Sequence, residues 1–265
     1  MCGNASRTSI FHRMEKIQIQ EDETLDDLQL RGLRILQKKK AFRFGLDAVL
    51  LADFASIHPT DHVVDLGTGT GILPLLLLGR DKGASFEAFE PQTDLAEMAQ
   101  RSMRLNGLED QIRVHALGAE AVLRVLDERS TDAVVCNPPY GMPGHTTQSQ
   151  LHSQAFSRQQ QPDTLNALLN AAFLLLKGKG KLFLIYPAAQ MLELMEALRC
   201  HQLEPKRFRL VYPAEDKPAR LVLIEAVRGA RPLLHPMPPL ILYNADGSLT
   251  NELKSIYHIS EQTVV

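Results

Sequence analysis

His62-Val-Val-Asp65-Leu-Gly67-Thr68-Gly69-Thr-Gly71-Ile72-Leu-Pro74 is the stretch that decides the fold. The apolar run from His62 to Gly67 reads as a buried strand. The segment from about Gly71 to Gly79 reads as a helix, with Pro74 in its first turn, where a missing N–H costs little. Between the two, three glycines alternate with threonines. Glycines at that spacing let the backbone turn sharply and approach a ligand closely, beside a helix N-terminus. A dinucleotide fingerprint, G-x-G-x-x-G, would need a third glycine where Ile72 stands when counted from Gly67. The spacing here is therefore of another kind.

Outward from this loop, short apolar runs alternate with helical patterns, the signature of βαβ units and a mostly parallel sheet. Strands are expected at Ser85–Glu90, Ile112–Leu117, Asp132–Cys136, Lys181–Tyr186, Arg207–Tyr212 and Ala219–Val227. Helices are expected from Thr93 to near Asn106-Gly107, from Thr164 to Leu176 and from Ala188 to Cys200. The last two strands meet across a short connection, which predicts an antiparallel hairpin closing the sheet. The expected fold is a doubly wound α/β sheet of seven strands with an antiparallel last strand. The polar, aperiodic stretch Gly141 to Pro162 reads either as a solvated loop or as a substrate lid.

The chain has 265 residues, 45% hydrophobic and 23% charged, enough to bury a core without disulfide or metal staples. Those values exclude wholesale disorder and a disulfide scaffold. With 29 basic and 31 acidic residues the net charge is -2, so any nucleic-acid site must be a local patch. Cys2, Cys136 and Cys200 form no C-x-x-C pair, which fits a reducing cytosol. The nine histidines show no H-x-x-x-H or H-E-x-x-H spacing, and no metal is expected. The longest apolar run, Ile72 to Leu78, is far below the roughly 20 residues of a membrane span. A soluble, cytoplasmic protein is expected.

Two further strand ends carry chemistry. Glu90 closes the second strand, where a carboxylate can accept hydrogen bonds from both hydroxyls of a ribose, or cap the helix that follows Pro91, or do both. The fourth strand ends Cys136-Asn137-Pro138-Pro139-Tyr140. The Asn137 side-chain oxygen and the Pro138 carbonyl can each accept one hydrogen of an amino group. Drawing that nitrogen towards a tetrahedral form aims its lone pair at an electrophile, so catalysis is positioning plus electrostatics. The two prolines stiffen the turn, and Tyr140 offers a face for stacking a flipped base. Cys136 belongs to the apolar strand and reads as core.

The glycine loop with Asp65 two residues ahead resembles motif I of the S-adenosylmethionine-dependent methyltransferases, and Asn137 to Tyr140 resembles the N-P-P-Y motif of amino methyltransferases. Upstream, Gln37-Lys-Lys-Lys-Ala-Phe42-Arg-Phe44-Gly45-Leu-Asp47 resembles the segment before motif I in the bacterial tRNA(Val) adenine-37 N6-methyltransferase family. Downstream, Glu215-Asp-Lys217-Pro-Ala219-Arg-Leu-Val-Leu-Ile-Glu225 is similar to that family's closing hairpin. The resemblance implies a class I methyltransferase sheet, S-adenosylmethionine as cofactor and adenine N6 in a tRNA as substrate. It implies a cofactor site of Phe44, Asp47, Asp65, Gly67, Thr68, Gly69, Gly71, Glu90, Ala119 and Asn137, with Asn137, Pro138, Pro139 and Tyr140 as the catalytic turn. Such enzymes commonly carry an Asp after the third strand, for the adenine amino group; here Gly118-Ala119-Glu120 stands there, with Glu120 or backbone groups as substitutes. The expected domain runs from residue 25 to 229, between an N-terminal extension, 1–24, and a tail, 230–265, packed on it.

For phosphate contacts, Lys38, Lys39, Lys40 and Arg43 are the first candidates, with Lys206, Arg207 and Arg209 as a second cluster. Two other functions fit the same motifs: glutamine N5 methylation of a protein substrate, and a non-catalytic cofactor-binding RNA scaffold. The former family usually carries a helical N-terminal domain, for which the residues before Phe42 leave little room. The intact Asn137 to Tyr140 turn argues against the latter.

Overall fold

A computed structural model describes residues 18–39, 45–138 and 164–258. The described chain opens with an antiparallel hairpin, β1 (Glu23–Asp27) and β2 (Arg34–Lys38). There follow α1 (Leu46–Phe54), β3 (His62–Leu66), α2 (Ile72–Gly79), β4 (Ser85–Phe89), α3 (Thr93–Asn106) and β5 (Ile112–His115). After β5 come a 3₁₀ turn at Ala119–Arg124 and β6 (Thr131–Cys136). A helix spanning 164–175, α4, leads straight into β7 (Leu176–Pro187). Then come α5 (Met191–Cys200), β8 (Leu203–Tyr212), β9 (Leu221–Arg228), the two-residue strands β10 (His235–Pro236) and β11 (Leu240–Ile241), and α6 (Asn251–Ile256).

The main sheet has the order β10-β8-β9-β7-β6-β3-β4-β5, with β11 also on β8. Strands β3 to β7 pair in parallel, and β9 runs antiparallel between β7 and β8. The seven long strands and the antiparallel last one are as the sequence predicts; β10 and β11 are additions from the tail. In β3 every residue after His62 is buried, because both faces of the sheet are covered. On one face Ile35, Leu51, Leu75, Phe183 and Leu253 join the hairpin, α1, α2 and α6 to the sheet. On the other, Val64, Val134, Leu175, Leu198 and Val222 join α4 and α5 to it.

Local chemistry fixes the elements. Nearly every residue of α2 is buried, as expected of a helix apolar all round. The amphipathic α3 stops at Gly107, whose φ of 65° lets Gly107 and Leu108 donate back to Arg104 and Met103. The hairpin is held on α3 by polar contacts: Leu36 N–H donates to Ser102 Oγ at 3.0 Å and Arg34 N–H to Asn106 Oδ1 at 2.9 Å. Arg101 of α3 places Nη2 2.5 Å from Oε1 of Glu23, whose side chain is wholly buried.

Several boundaries differ from the sequence reading, among them the end of β5 at His115 rather than Leu117 and the start of β9 at Leu221 rather than Ala219. β7 begins at Leu176 rather than Lys181, because Leu176 pairs with Thr131 of β6 and the Lys-Gly-Lys-Gly stretch bulges out before pairing resumes between Lys181 and Ala133. The helix expected from Ala188 is split by a 3₁₀ turn at Ala188–Gln190, and β8 starts at Leu203, four residues earlier than Arg207.

Candidate active site

The parallel register brings the strand ends to one edge. Leu66 of β3 pairs with Phe89 of β4 and with Cys136 of β6. One step beyond that rung stand Gly67, Glu90 and Asn137, side by side. This is the edge at which open α/β sheets bind ligands. Asn137 is half-buried and Pro138 buried at the exit of β6.

The glycine loop is pinned to β4. The N–H groups of Gly67 and Thr68 both donate to the Phe89 carbonyl, at 2.9 and 3.0 Å. Gly69, at φ 58°, turns its N–H to Oε2 of Glu90 at 2.9 Å. Oε1 of Glu90 accepts from the Gln92 backbone N–H at 3.0 Å and from its side-chain amide at 3.3 Å. Glu90 thus braces the loop and caps the approach to α3. Gly71, at φ 86°, holds a left-handed conformation that side chains strain, and a Cβ there would also displace the Met103 methyl, 2.4 Å away. The sequence offers no reason to single out Gln92 beyond a polar residue after Pro91 at a helix start.

Asp65 lies beneath the loop. It is completely buried, and neither carboxylate oxygen has a hydrogen-bond partner; the buried Thr68 hydroxyl is also unpartnered. Burial pushes the Asp65 carboxyl up to about 7; the nearby Thr68 hydroxyl opposes that and the charge of Glu90 adds to it. Cys136 is buried in the apolar cluster, and burial raises its thiol well above the ordinary range, so it is core and not a nucleophile. Orphaned acceptors at Asp65 and Thr68, with open space around where Cβ atoms of Gly67 and Gly69 would be, fit a polar ligand drawn close to the loop.

The other expected residues lie as follows. Asp47 sits half-buried in the first turn of α1, its carboxyl raised by burial and opposed by Arg220, which precedes β9 on the same edge of the sheet. Ala119 opens the 3₁₀ turn after β5. Lys38 Nζ is 2.8 Å from Asp22 Oδ2, and Lys39 Nζ donates to the Glu21 carbonyl at 2.7 Å. The second basic cluster is half-buried and engaged within the fold. Arg207 pairs with Glu225 at 2.5 Å and lies over the Phe54 ring at 4.4 Å, while Arg209 reaches Glu252 at 2.6 Å. Lys206 donates to the Arg231 carbonyl at 3.0 Å. Phe44, Lys40, Arg43, Pro139, Tyr140 and the stretch 141–162 lie outside the described residues. Among the described residues no His, Cys, Asp and Glu group could hold a metal, and no helix is long and apolar enough to cross a membrane.

A parallel sheet with a glycine loop, an acidic second strand end and an Asn-Pro turn at its fourth strand end defines a class I S-adenosylmethionine-dependent methyltransferase. Solved structures share the fold. A predicted O-methyltransferase of Agrobacterium tumefaciens superposes with a TM-score of 0.64 at 22% identity, over 80% of this chain and 96% of that one. TYW2 of P. horikoshii does so with a TM-score of 0.54 at 14% identity, over 80% and 73%. Residues 46–202 match the methyltransferase small domain family. The tRNA1(Val) (adenine(37)-N6)-methyltransferase of Christiangramia forsetii is 30% identical over 198 residues, 74% of this chain and 82% of its own length. The protein of the same name from Haemophilus influenzae is 27% identical over 222 residues, 83% and 91% of the two chains. The chain belongs to the methyltransferase small domain family, in the branch of these adenine N6 methyltransferases.

Proposed function

We propose that this enzyme methylates the N6 amino group of an adenine in a cytoplasmic tRNA, at the edge where Gly67, Glu90 and Asn137 stand side by side. The observation that supports the reading is the shared register of those three residues, which brings Asn137 to the same strand edge as the glycine loop and Glu90. S-adenosylmethionine supplies the electrophilic methyl group.

The chain's own residues do the rest. Asp65, Gly67, Thr68, Gly69 and Gly71 form the cradle, Glu90 takes the ribose hydroxyls, and Phe44 and Asp47 wall the methionine end. Oε2 of Glu90 accepts one bond, from the Gly69 N–H, and keeps a lone pair for a ligand; Oε1 would exchange the longer bond from the Gln92 side-chain amide for one to a ribose hydroxyl. An adenine amino nitrogen is a poor nucleophile, because its lone pair is delocalised into the ring. The Asn137 oxygen and the Pro138 carbonyl hold its two hydrogens and turn the lone pair outwards; Pro139 stiffens the turn, and Tyr140 stacks on the base. Lys38, Lys39, Lys40 and Arg43 meet the RNA phosphates.

The test is methyl transfer to tRNA from cells lacking this gene, with mass mapping of the modified nucleoside. N6-methyladenosine should appear with the parent enzyme. With Asn137→Ala it should be lost while calorimetric cofactor affinity stays near that of the parent. Turnover near the parent level in that variant overturns the mechanism, and a different methylated nucleoside overturns the substrate.

A further inference from the structure

We infer that the cleft between the β8–β9 loop and the tail receives an unstacked base of the same RNA, a neighbour of the target adenine, on the ring of Tyr243. The inference rests on the tRNA reading above and adds a surface that holds the RNA beside the target.

Strand pairing brings the tail to the ligand edge. β8 is antiparallel to β9 and β9 to β7, so β8 ends on the edge where β3, β4 and β6 end. β11 runs parallel to β8, with Leu240 beside Val211 and Ile241 beside Tyr212. The chain continues outwards along the loop: the Leu242 and Tyr243 N–H groups donate to the Tyr212 and Pro213 carbonyls, both at 2.9 Å. Asn137 and Pro213 stand three strand spacings apart in sheet order, about 14 Å at about 4.8 Å each. That is within reach of the nucleotides flanking an adenine in an RNA loop. The two segments enclose an open cleft of about 460 Å³. Pro213, Ala214 and Lys217 line one side, Tyr243, Ala245 and Gly247 the other. Its size is that of a small-ligand site.

The chemistry of the cleft selects a base over a phosphate. Tyr243 is 41% exposed, yet its backbone is fixed by the Pro213 bond and by a bridge to Leu249. An exposed ring on a fixed backbone gives a stacking face at little entropic cost, and RNA loops present unstacked bases to such faces. The rim carries no excess of positive charge: Lys217 lies 3.1 Å from Asp216, and Asp246 accepts from the Ser248 N–H at 2.9 Å. The phosphate contact falls to Arg220, which precedes β9 and so stands between the cleft and Asn137 in sheet order. Arg220 is exposed, and its guanidinium is hydrogen-bonded to no described residue.

Asp47 joins the cleft to the start of α1. Its carboxyl, raised by burial, is opposed by the charge of Arg220. Burial also raises the hydroxyl of Tyr257, just past α6, and the neighbouring Tyr243 and Asp47 add to that. The tail turn, Arg220 and the proposed methionine wall are therefore one continuous surface.

The experiment measures binding of tRNA from cells lacking this gene at several salt concentrations, with cofactor affinity and thermal unfolding of each variant alongside. Tyr243→Ala should lower tRNA affinity by roughly 5- to 100-fold, with salt slope and cofactor affinity unchanged. Tyr243→Phe should keep the parent affinity, because stacking needs only the ring. Arg220→Ala should reduce the slope of log affinity against log salt by about one unit. Ala245→Glu, at an exposed position, removes no contact of the fold and should weaken binding by crowding the cleft. Parent-level tRNA affinity in both Tyr243→Ala and Ala245→Glu, with the parent still methylating tRNA, overturns the inference and leaves the tRNA reading standing. A Phe variant as weak as the Ala variant overturns stacking. Self-association of the parent that Ala245→Glu abolishes, with tRNA affinity unchanged, gives the cleft to a second copy of the chain and overturns the inference too. A parent that neither binds nor methylates tRNA overturns the tRNA reading itself.

Discussion

Glu90 and Gly69 are joined across two elements: the carboxylate at the end of β4 accepts, at 2.9 Å, the backbone N–H that the left-handed conformation of Gly69 turns towards it. The other Glu90 oxygen accepts from Gln92 N–H at 3.0 Å. One side chain therefore sets both the shape of the loop and the start of α3.

Glu90→Gln tests that dual bond. The amide has one acceptor oxygen, so one of the two N–H groups must face an NH₂. A buried donor left unpaired costs about 1–3 kcal/mol, which in a chain of this size lowers Tm by roughly 2–4 °C per kcal/mol. Cofactor affinity should fall at least about tenfold, equivalent to about 1.4 kcal/mol. Calorimetry and thermal unfolding on the same sample check both; an unchanged Tm means that the bonds do not order the loop.

Asp65 gives a pH-dependent prediction. Its carboxyl stands at about 7 in the fold because burial disfavours the charge, against an ordinary value of 3.8. Between those values the native state holds a proton that the unfolded chain has lost, so stability falls as pH rises through the window. Above it the cost is complete, at most about 4 kcal/mol by linkage. Asp65→Asn should therefore gain stability relative to the parent, least near about pH 4.5 and levelling off above about pH 7.5. Urea unfolding across that range measures the difference; a gap independent of pH would show that Asp65 does not titrate there.

The buried pair between Arg101 and Glu23 holds the N-terminal hairpin. The Arg101 guanidinium, 9% exposed, is strongly favoured in its charged form by the Glu23 carboxylate. Arg101→Met leaves the buried Glu23 carboxylate with only the Gln20 N–H at 2.9 Å and Lys38 at 4.0 Å, and should cost up to about 3–5 kcal/mol, or melt the hairpin locally. Adding Glu23→Leu should recover most of that loss. Hydrogen exchange at β1 and β2 distinguishes local from global unfolding. A double variant as unstable as the single one would show that burial of charge is not the cause.

Lys38 and Lys39 should contribute unequally to RNA binding. Lys38 pairs directly with Asp22, whose carboxyl it holds below the ordinary range, whereas the Lys39 amine donates to the Glu21 carbonyl and acts on Asp22 only as a more distant charge. Lys39→Ala should reduce the slope of log affinity against log salt by roughly one unit, and Lys38→Ala by clearly less. Filter binding of tRNA at several salt concentrations reads the slopes. Equal slopes would mean that RNA displaces Asp22.

The fold was legible where burial is two-sided. β3, β6 and the middle of β7 are largely apolar runs, and β4 is broken only by Glu87, because helices cover both faces; the strand-end residues follow by counting. The hairpin Glu23–Asp27 and Arg34–Lys38 was not, since the polar groups that receive its backbone lie on α3, more than sixty residues away, and add to the burial of Ile35 and Leu36. Nor was the fate of Arg207 and Arg209, whose charges read as surface until Glu225 and Glu252 are brought opposite them. At the site, the positions of Gly67, Glu90 and Asn137 could be read from local spacing. The bracing of Glu90 by Gln92 and the isolation of Asp65 could not, because both arise from packing between elements.

The placement of β9 between β7 and β8 has a consequence for synthesis. Every residue assigned to the cradle and the Asn-Pro turn is translated before the strand that completes the sheet beside β7. Until Leu221–Arg228 arrives, β7 has one open edge and β8 has no long strand to pair with. A chain growing from the ribosome thus carries a long apolar sheet edge, open to mispairing with other chains, until Arg228 has been added. Truncations ending before β9 should aggregate instead of yielding a smaller working enzyme.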